Sequence, residues 1–318
     1  MSAATFSGSE TGDASERRVV VALGAVDAAE VTPYLPECAH FVSHPTDSDF
    51  AVAEAAIVRA AFDLDRATLD RMPRLRVIAR TGVGVERVDV AAAQERGIPV
   101  AITPGSNSRA VAEGAFAMIA ALVKNVGESH RYVSAGEWGR RPVPQAGDLY
   151  GRTLAVLGYG RIGRIVAGYG RAFGMEVVVH DPYVTADDAE NVTLEEAVRR
   201  ADALTLHLPG GGGEMLPLAI LRTAKPGLVL VNCARADLVS TAALQEALDT
   251  GILGGVGLDV FENEPVQHHP LAGRTDVLLS PHTSGFSLAA RRETVRMAAE
   301  AVSETLSGRY PTFTVGDA

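Results

Sequence analysis

Apolar residues along the chain fall into short continuous runs separated by segments with helical spacing. The runs VVVALG from Val19, LRVIAR from Leu75 and LVLVN from Leu228 are typical of strands buried on both faces. Segments such as LEEAVRRA, from Leu194, carry the helical period between such runs. Because strand and helix alternate throughout, we predict an α/β fold built on parallel sheets.

One stretch combines this alternation with a glycine fingerprint. An apolar strand, the sequence GYGRIG, a helix and a second strand follow one another from Thr153 to Asp181. In such a unit the first glycine allows the tight turn, the second admits a diphosphate and the third lets the helix pack on the strand. These glycines are Gly158, Gly160 and Gly163. Asp181 ends the second strand, where a carboxylate accepts hydrogen bonds from a ribose 2′-hydroxyl, so we predict binding of NAD rather than NADP.

Later strands are each predicted to end in a polar residue. Ligands of doubly wound sheets bind outside the carboxyl ends of the strands. We expect Arg235 to bind a carboxylate, His282 to exchange a proton, and Glu264 to orient and stabilise the imidazolium. His207 is expected to serve the cofactor side rather than catalysis.

Composition narrows the class of protein. The 318 residues suggest two domains, and the net charge of −10 argues against a nucleic-acid surface. Two cysteines cannot form a disulfide framework, no apolar run reaches the length of a membrane span, and no metal-binding motif occurs, so we expect a cytoplasmic protein without a metal site. The small polar residues at the N-terminus predict a disordered segment over residues 1–17.

The motifs GYGRIGRIVA with DPY, VNCARADLV, GLDVFENEP and SPHTSG, in that order, resemble those of the NAD-dependent D-2-hydroxyacid dehydrogenases, above all the D-3-phosphoglycerate dehydrogenase branch. The upstream pieces RTGVGVERVD, GIPV and PGSN match as well. The resemblance implies two Rossmann-like doubly wound domains: a discontinuous substrate-binding domain, residues 18–107 and 287–318, with an NAD-binding domain, residues 108–286, inserted in it. It also implies a homodimer formed through the NAD domain.

The resemblance assigns site residues as well. It implies that Arg235, Glu264 and His282 are catalytic. The implied cofactor-binding residues are Gly158, Tyr159, Gly160, Arg161, Ile162, Gly163, Asp181, Pro182, His207, Leu208, Pro209, Cys233, Ala234, Asp259 and Gly285. The implied substrate-binding residues are Arg59, Arg80, Val83, Gly84, Arg235 and His282, and Arg140 or Arg141 could add a further cation.

The chain departs from the family pattern at a few positions. These are Ile102, Ala236, Ser240 and the loop Gly210 to Gly213. Because they affect contacts rather than reaction type, the substrate stays open between 3-phosphoglycerate and glyoxylate, hydroxypyruvate or another small 2-oxoacid. An alternative of a different class is an NAD-sensing binding protein similar to the C-terminal-binding-protein corepressors, since a fold alone does not fix function.

Overall fold

The computed structural model describes residues 17–59, 61–140 and 147–316. Apart from its last residue, the segment predicted to be disordered, 1–17, lies outside these ranges. The contacts divide the chain into two compact units, one comprising the residues up to Asn107 together with those from Leu288, and the other Ser108–Ser287. We refer to them as unit 1 and unit 2.

The strands and helices alternate, as the hydrophobic pattern predicts. The strands are β1 (Arg18–Leu23), β2 (Ala39–Val42), β3 (Ala53–Val58), β4 (Val77–Arg80), β5 (Val100–Ala101), β6 (Thr153–Leu157), β7 (Glu176–His180), β8 (Glu190–Asn191), β9 (Ala203–Leu206), β10 (Leu228–Asn232), β11 (Leu253–Leu258) and β12 (Val277–Leu279). The helices are α1 (Ala28–Val31), α2 (Asp47–Val52), α3 (Arg66–Asp70), α4 (Val90–Glu95), α5 (Ser108–Val123), α6 (Val126–Ser134), α7 (Arg161–Ala172), α8 (Leu194–Arg200), α9 (Leu218–Leu221), α10 (Thr241–Asp249) and α11 (Leu288–Leu306).

Unit 1 is built on a parallel sheet with the strand order β2-β1-β3-β4-β5. This is the flavodoxin-like order of doubly wound folds. Alternate residues of β1 enter different cores, because successive side chains of a strand point to opposite faces. Val21 packs in a cluster with Leu69 and Ala92, whereas Val20 packs with Val295 and Val302 of α11. The last helix is therefore an integral part of unit 1.

Unit 2 is built on a parallel sheet with the strand order β12-β11-β10-β9-β6-β7-β8. Counted from β6, the first strand of this sheet, the order reverses between β6 and β9, which is the switch point of a Rossmann fold. Helices cover both faces: Leu204 belongs to a core cluster that includes Leu244 of α10, and Val156 to a cluster that includes Ile119 of α5. The predicted fold class is confirmed by the two doubly wound parallel sheets.

Some element boundaries differ from the prediction. Strands β9, β10 and β12 end at Leu206, Asn232 and Leu279, so the polar residues expected at their ends lie in the following loops. At β10 the cause is local, because the Asn232 amide accepts from Ala234 N–H at 3.0 Å and donates to the Arg235 carbonyl at 2.7 Å. Such side-chain hydrogen bonds compete with the strand ladder.

Helix α6 was not predicted. It begins after Asn125, whose φ is 52°, and it contains no buried residues; its apolar side chains Val126 and Val133 are exposed. Within the described ranges no single helix has the length and hydropathy to cross a bilayer; only α5 and α6 together would, and they are bent by 62°.

Candidate active site

The parallel strands of unit 2 bring the predicted site residues to one edge of the sheet. Because all strands run in the same direction, the loops after their carboxyl ends follow the strand order. The order along this edge is His282, Asp259, Arg235, His207, the glycine turn and Asp181. With about 4.8 Å between neighbouring strands, β7 and β10 are roughly 14 Å apart. The predicted ribose site at Asp181 and the predicted substrate site at Arg235 therefore lie apart along the same edge.

Each glycine of the fingerprint has a distinct geometry. Gly158 has a φ of +94°, and a Cβ there would lie 2.6 Å from the His207 carbonyl oxygen. A Cβ at Gly163 would lie 2.0 Å from the Gly158 carbonyl oxygen, so only glycine lets α7 pack this closely. A Cβ at Gly160 would meet no protein atom within 4 Å. The space in front of Gly160, at the start of α7, is thus open.

Asp181 is held in place by backbone amides. Its Oδ2 accepts from Tyr159 N–H at 2.6 Å, and its Oδ1 accepts from Tyr183 N–H at 2.8 Å and Val184 N–H at 3.0 Å. The carboxylate joins the glycine turn to the loop after β7. Its orientation at the end of the strand is therefore fixed by the protein itself.

Tyr159, the second residue of the fingerprint, points inward. Its side chain is fully buried, its hydroxyl donates to Asp188, and the Arg164 guanidinium lies 4.7 Å from the ring centroid. Burial, followed by the bond to Asp188, raises the pKa of Tyr159, and the same bond lowers the pKa of Asp188. Arg171 also donates to Asp188, at 2.7 Å. Only the backbone of Tyr159 faces the turn. The contacts of its side chain with Asp188 and Arg164 support the turn from inside, and the fingerprint alone did not reveal them.

His207 lies between the glycine turn and the loop that follows β9. Its Nε2 lies 3.0 Å from the Thr205 hydroxyl, while its Nδ1 is inaccessible and has no hydrogen-bond partner among the described residues. Burial lowers the pKa of His207 to about 3, so the imidazole is neutral at physiological pH. A neutral, half-buried ring fits a cofactor-side position better than proton exchange.

Arg235 follows the short turn after β10. Its Nη1 donates to the Ala234 carbonyl at 2.9 Å, and the Asn232 amide holds the backbone at Ala234 N–H and at the Arg235 carbonyl. Burial raises the pKa of the Cys233 thiol to about 12, so this cysteine is a protonated packing residue and not a nucleophile. The structure therefore presents Arg235 from a rigid turn.

Glu264 and His282 form a hydrogen-bonded pair. Glu264 Oε2 lies 2.8 Å from His282 Nδ1, and Glu264 Oε1 accepts from Phe261 N–H at 3.0 Å. With Nδ1 directed at the carboxylate, Nε2 becomes the ring atom available for proton exchange. The His282 side chain is 54% exposed, so a ligand can reach it.

The backbone that carries His282 is fixed by Asp259. His282 has a φ of +56°, an uncommon value for a residue other than glycine. The buried Asp259 carboxylate accepts from Thr283 N–H at 2.9 Å and Ser284 N–H at 3.0 Å, directly after this residue. The resemblance implied that Asp259 binds the cofactor, and sequence reasoning missed this contact, which the turn signal of SPHTSG could have suggested.

The predicted substrate residues of unit 1 differ in accessibility. Arg80 is only 4% exposed, and it donates to the Gly84 carbonyl at 2.8 Å and the Arg59 carbonyl at 2.6 Å. Burial lowers the pKa of Arg80. Val83 is 44% exposed and Arg59 is half-buried. The side chains of Arg140 and Arg141 lie outside the described part of the chain.

The remaining predicted cofactor residues occupy the same loops of unit 2. They are the exposed Arg161, Pro182 and Pro209, the half-buried Ile162, Leu208 and Gly285, and the buried Ala234. In the described ranges no cluster of three or more histidine, cysteine or acidic side chains could hold a metal ion.

The donor set of this edge fits a dinucleotide. The open space at Gly160, the amide-rich start of α7 and the fixed Asp181 carboxylate match a diphosphate and a ribose diol. The Nδ1 of His207, which has no partner in the described ranges, is a further polar group beside the turn.

Comparison with known proteins gives the same result. Residues 116–284 match the family model described as "D-isomer specific 2-hydroxyacid dehydrogenase, NAD binding domain". The chain is 35% identical over 269 residues to a D-3-phosphoglycerate dehydrogenase of Methanocaldococcus jannaschii, covering 80% of this chain and 50% of that protein. It is 36% identical over 262 residues to a glyoxylate reductase of Aeropyrum pernix, covering 78% of each.

A solved structure is also similar. The D-lactate dehydrogenase of Aquifex aeolicus, complexed with NAD and lactic acid, aligns with a TM-score of 0.77 and 28% identity over 92% of this chain and 96% of that one. The chain spans about half the length of the phosphoglycerate dehydrogenases that it matches. On these matches, and with an NAD-binding domain in unit 2, the chain belongs to the D-isomer specific 2-hydroxyacid dehydrogenase family.

Proposed function

We propose that the protein is an NAD-dependent dehydrogenase that interconverts a D-2-hydroxyacid and the corresponding 2-oxoacid. The observation that carries this proposal is the Glu264–His282 pair at 2.8 Å, on the same sheet edge as Arg235 and the glycine turn. An NAD-sensing binding protein would need the turn but not a proton-exchanging pair and an arginine on the same sheet edge.

The chemistry follows from the side chains. The nicotinamide, when bound, supplies or accepts the hydride at C2 of the acid. The Arg235 guanidinium binds the substrate carboxylate. In reduction, His282 donates a proton from Nε2 to the oxygen that was the carbonyl, and in oxidation it accepts the proton of the hydroxyl. Glu264 stabilises the imidazolium and keeps the ring oriented.

We propose a small unphosphorylated 2-oxoacid, such as glyoxylate or hydroxypyruvate, as the substrate class. A phosphorylated substrate calls for accessible cations, and Arg80 is buried with its guanidinium bonded to the Gly84 and Arg59 carbonyls. Through these contacts Arg80 stabilises the loop from Thr81 to Asp89. The substrate contacts predicted for Arg59, Val83 and Gly84 stay predictions.

A substrate panel tests both proposals. NADH oxidation is measured with glyoxylate, hydroxypyruvate and 3-phosphohydroxypyruvate, and NAD reduction with 3-phosphoglycerate. We expect turnover of the unphosphorylated acids, with kcat/KM above that of the phosphorylated ones. Preference for 3-phosphohydroxypyruvate and 3-phosphoglycerate would contradict the proposed substrate class. NADH binding without turnover of any acid would contradict the proposal that the protein is an enzyme.

His282→Ala tests the mechanism. Loss of the proton donor should lower kcat by about 10² to 10⁴. The Kd of NADH, measured by fluorescence titration, should stay within about twofold of the unmodified protein, a difference below about 0.5 kcal/mol. The reason is that His282 is proposed to exchange a proton with the substrate and not to hold the cofactor. Unchanged kcat would remove His282 from the mechanism.

The second copy of this chain is the proposed partner. Unit 2 exposes Tyr150 and Phe173, by 82% and 54%. The Tyr150 ring lies against Gly174, beside Phe173. Aromatic side chains are enriched at protein interfaces. Sedimentation velocity should give a dimer for the unmodified protein and a monomer for Phe173→Glu. The predicted cytoplasmic location stays a prediction.

A further inference from the structure

The loop after β9 and the segment after β10 are joined along their length. Gly211 N–H donates to Asp237 Oδ2 at 2.5 Å, and Ser240 N–H donates to Glu214 Oε1 at 2.9 Å. After Glu214, Met215 and Leu216 donate their N–H groups to the Leu238 carbonyl, at 2.9 and 3.0 Å. We call these joined segments, residues 210–216 and 235–240, the staple.

Gly210 brings the staple against Arg235. A Cβ at Gly210 would lie 2.8 Å from Cγ and 2.9 Å from Cβ of Arg235, and 2.6 Å from Asp237 Oδ1. No side chain other than hydrogen fits there unless Arg235 or Asp237 moves. The backbone at Gly210 therefore forms one wall around the aliphatic stem of Arg235.

The other glycines of this loop are not equivalent. Gly211 and Gly213 have φ values of +86° and +85°, which favour glycine. Gly212 has no such φ, and a Cβ there would meet no atom within 4 Å. The structure thus explains Gly210 by its contact with Arg235 and leaves Gly212 without a steric requirement.

The staple also relates two departures from the family pattern. Residues 210–213 and Ser240 are separated in sequence, yet Glu214, the residue after the glycines, accepts from Ser240 N–H. Ser240 then caps α10 by accepting from Ala243 N–H at 3.2 Å. The unusual loop and the unusual residues after Arg235 form one local structure.

We propose that Gly210 and Asp237 are positioning residues for Arg235. Asp237 holds the loop through Gly211, and the loop backbone at Gly210 keeps the Arg235 stem in the conformation that presents the guanidinium to the substrate. This proposal rests on the substrate-binding role proposed for Arg235. It predicts that disturbing the staple weakens 2-oxoacid binding more than NADH binding, since Gly158, Gly160 and Gly163 of the fingerprint lie in a different segment.

Matched alanine substitutions within one loop test the proposal. Gly210→Ala and Gly212→Ala are compared with Arg235→Gln, using KM for glyoxylate, the Kd of oxamate in the presence of NADH, the Kd of NADH and the thermal midpoint. Arg235→Gln first establishes the role of Arg235: if it leaves KM and the oxamate Kd unchanged, the proposed function itself is contradicted.

Given an effect of Arg235→Gln, Gly210→Ala should raise KM and the oxamate Kd by roughly tenfold or more, because a displacement of about 1 Å at a substrate-binding group is costly. Gly212→Ala should leave both constants unchanged. If Gly210→Ala and Gly212→Ala behave alike while the NADH Kd stays normal, Gly210 does not position Arg235.

Asp237 is tested by a conservative rescue. Asp237→Ala removes the acceptor for Gly211 N–H, and we expect KM to rise about two- to fivefold, as for the loss of one exposed hydrogen bond. Asp237→Asn retains an acceptor oxygen and should restore most of the loss. This rescue distinguishes positioning from general destabilisation, since both variants lose the same charge; equal KM values for the two variants would contradict the role of Asp237.

Discussion

Unit 2 carries two glycine-rich loops on the same edge of one sheet, and they use glycine for different reasons. In the fingerprint loop, the tightest contact is between Gly163 and the carbonyl of Gly158, within one sequence motif. In the loop 210–213, the tightest contacts of Gly210 are with Arg235 and Asp237, which lie after another strand, β10. The first loop is constrained locally and the second by a distant segment.

Each loop also contains a glycine that the protein itself does not require. Neither Gly160 nor Gly212 would place a Cβ within 4 Å of another atom, and neither has a positive φ. The fingerprint gives Gly160 a ligand, since a diphosphate approaches the backbone there. Nothing comparable accounts for Gly212. Substitution at such glycines separates what the fold needs from what the ligand needs.

Gly163→Ala should have the largest effect. A Cβ 2.0 Å from the Gly158 carbonyl oxygen must push α7 away from β6 and the glycine turn. We expect the free energy of unfolding to fall by about 3 kcal/mol or more, as for an overpacked core position. Urea denaturation measures the loss.

Gly168→Ala is the matched control, because it lies in the same helix with no atom within 4 Å. Replacing glycine by alanine inside a helix should raise stability by about 0.5–1 kcal/mol. Equal stability of Gly163→Ala and the unmodified protein would mean that the close contact between α7 and the turn is not a requirement of the fold.

Gly160→Ala should act mainly on the ligand. The side chain meets no protein atom and the φ of −75° suits alanine, so urea denaturation without cofactor should show a loss of at most about 1 kcal/mol, from alanine at the N-cap of α7. The methyl group would occupy the diphosphate position, and we expect the Kd of NADH to rise roughly a hundredfold, about 2.7 kcal/mol. An unchanged Kd would place the diphosphate elsewhere.

The sequence was sufficient where the constraint is local. The apolar runs and the fingerprint predicted the strands of unit 2 other than β8, and the strand ends and the loops after them predicted the positions of Arg235, Glu264 and His282 on one edge. The pattern could not show that Arg80 is buried against the Arg59 and Gly84 carbonyls, because those contacts depend on the path of two loops.

The support of the site was likewise hidden from the sequence. The bonds from Asp259 to the backbone after His282 and from Asp181 to Tyr159 join residues more than twenty positions apart. Helix α6 escaped prediction for the opposite reason, since it is short and buries no residue. Hydrophobic patterning reports burial, and it is silent about exposed helices and about polar contacts between loops.

His207 directly follows β9, and its titration gives a smaller expected effect than Gly163→Ala or Gly160→Ala. Its carbonyl faces Gly158, and the loop 210–213 begins shortly after it. Because the native pKa of about 3 is below the ordinary value of 6.5, the unfolded chain binds the proton more readily. The contribution of His207 to the free energy of unfolding is fully present above pH 6.5, and it is lost as the pH falls from 6.5 towards 3.

We therefore expect His207→Gln to flatten the pH dependence of stability. Between pH 7 and pH 5 the free energy of unfolding of the unmodified protein should fall by about 2 kcal/mol more than that of the variant. The reason is that one titrating group changes this free energy by up to about 1.36 kcal/mol per pH unit. Glutamine remains neutral and can keep the bond to the Thr205 hydroxyl. Urea denaturation at the two pH values measures the difference, and His130→Gln, at an exposed position of α6, should follow the unmodified protein. If His207→Gln and His130→Gln lose stability equally, the His207 ring is not held neutral between the loops.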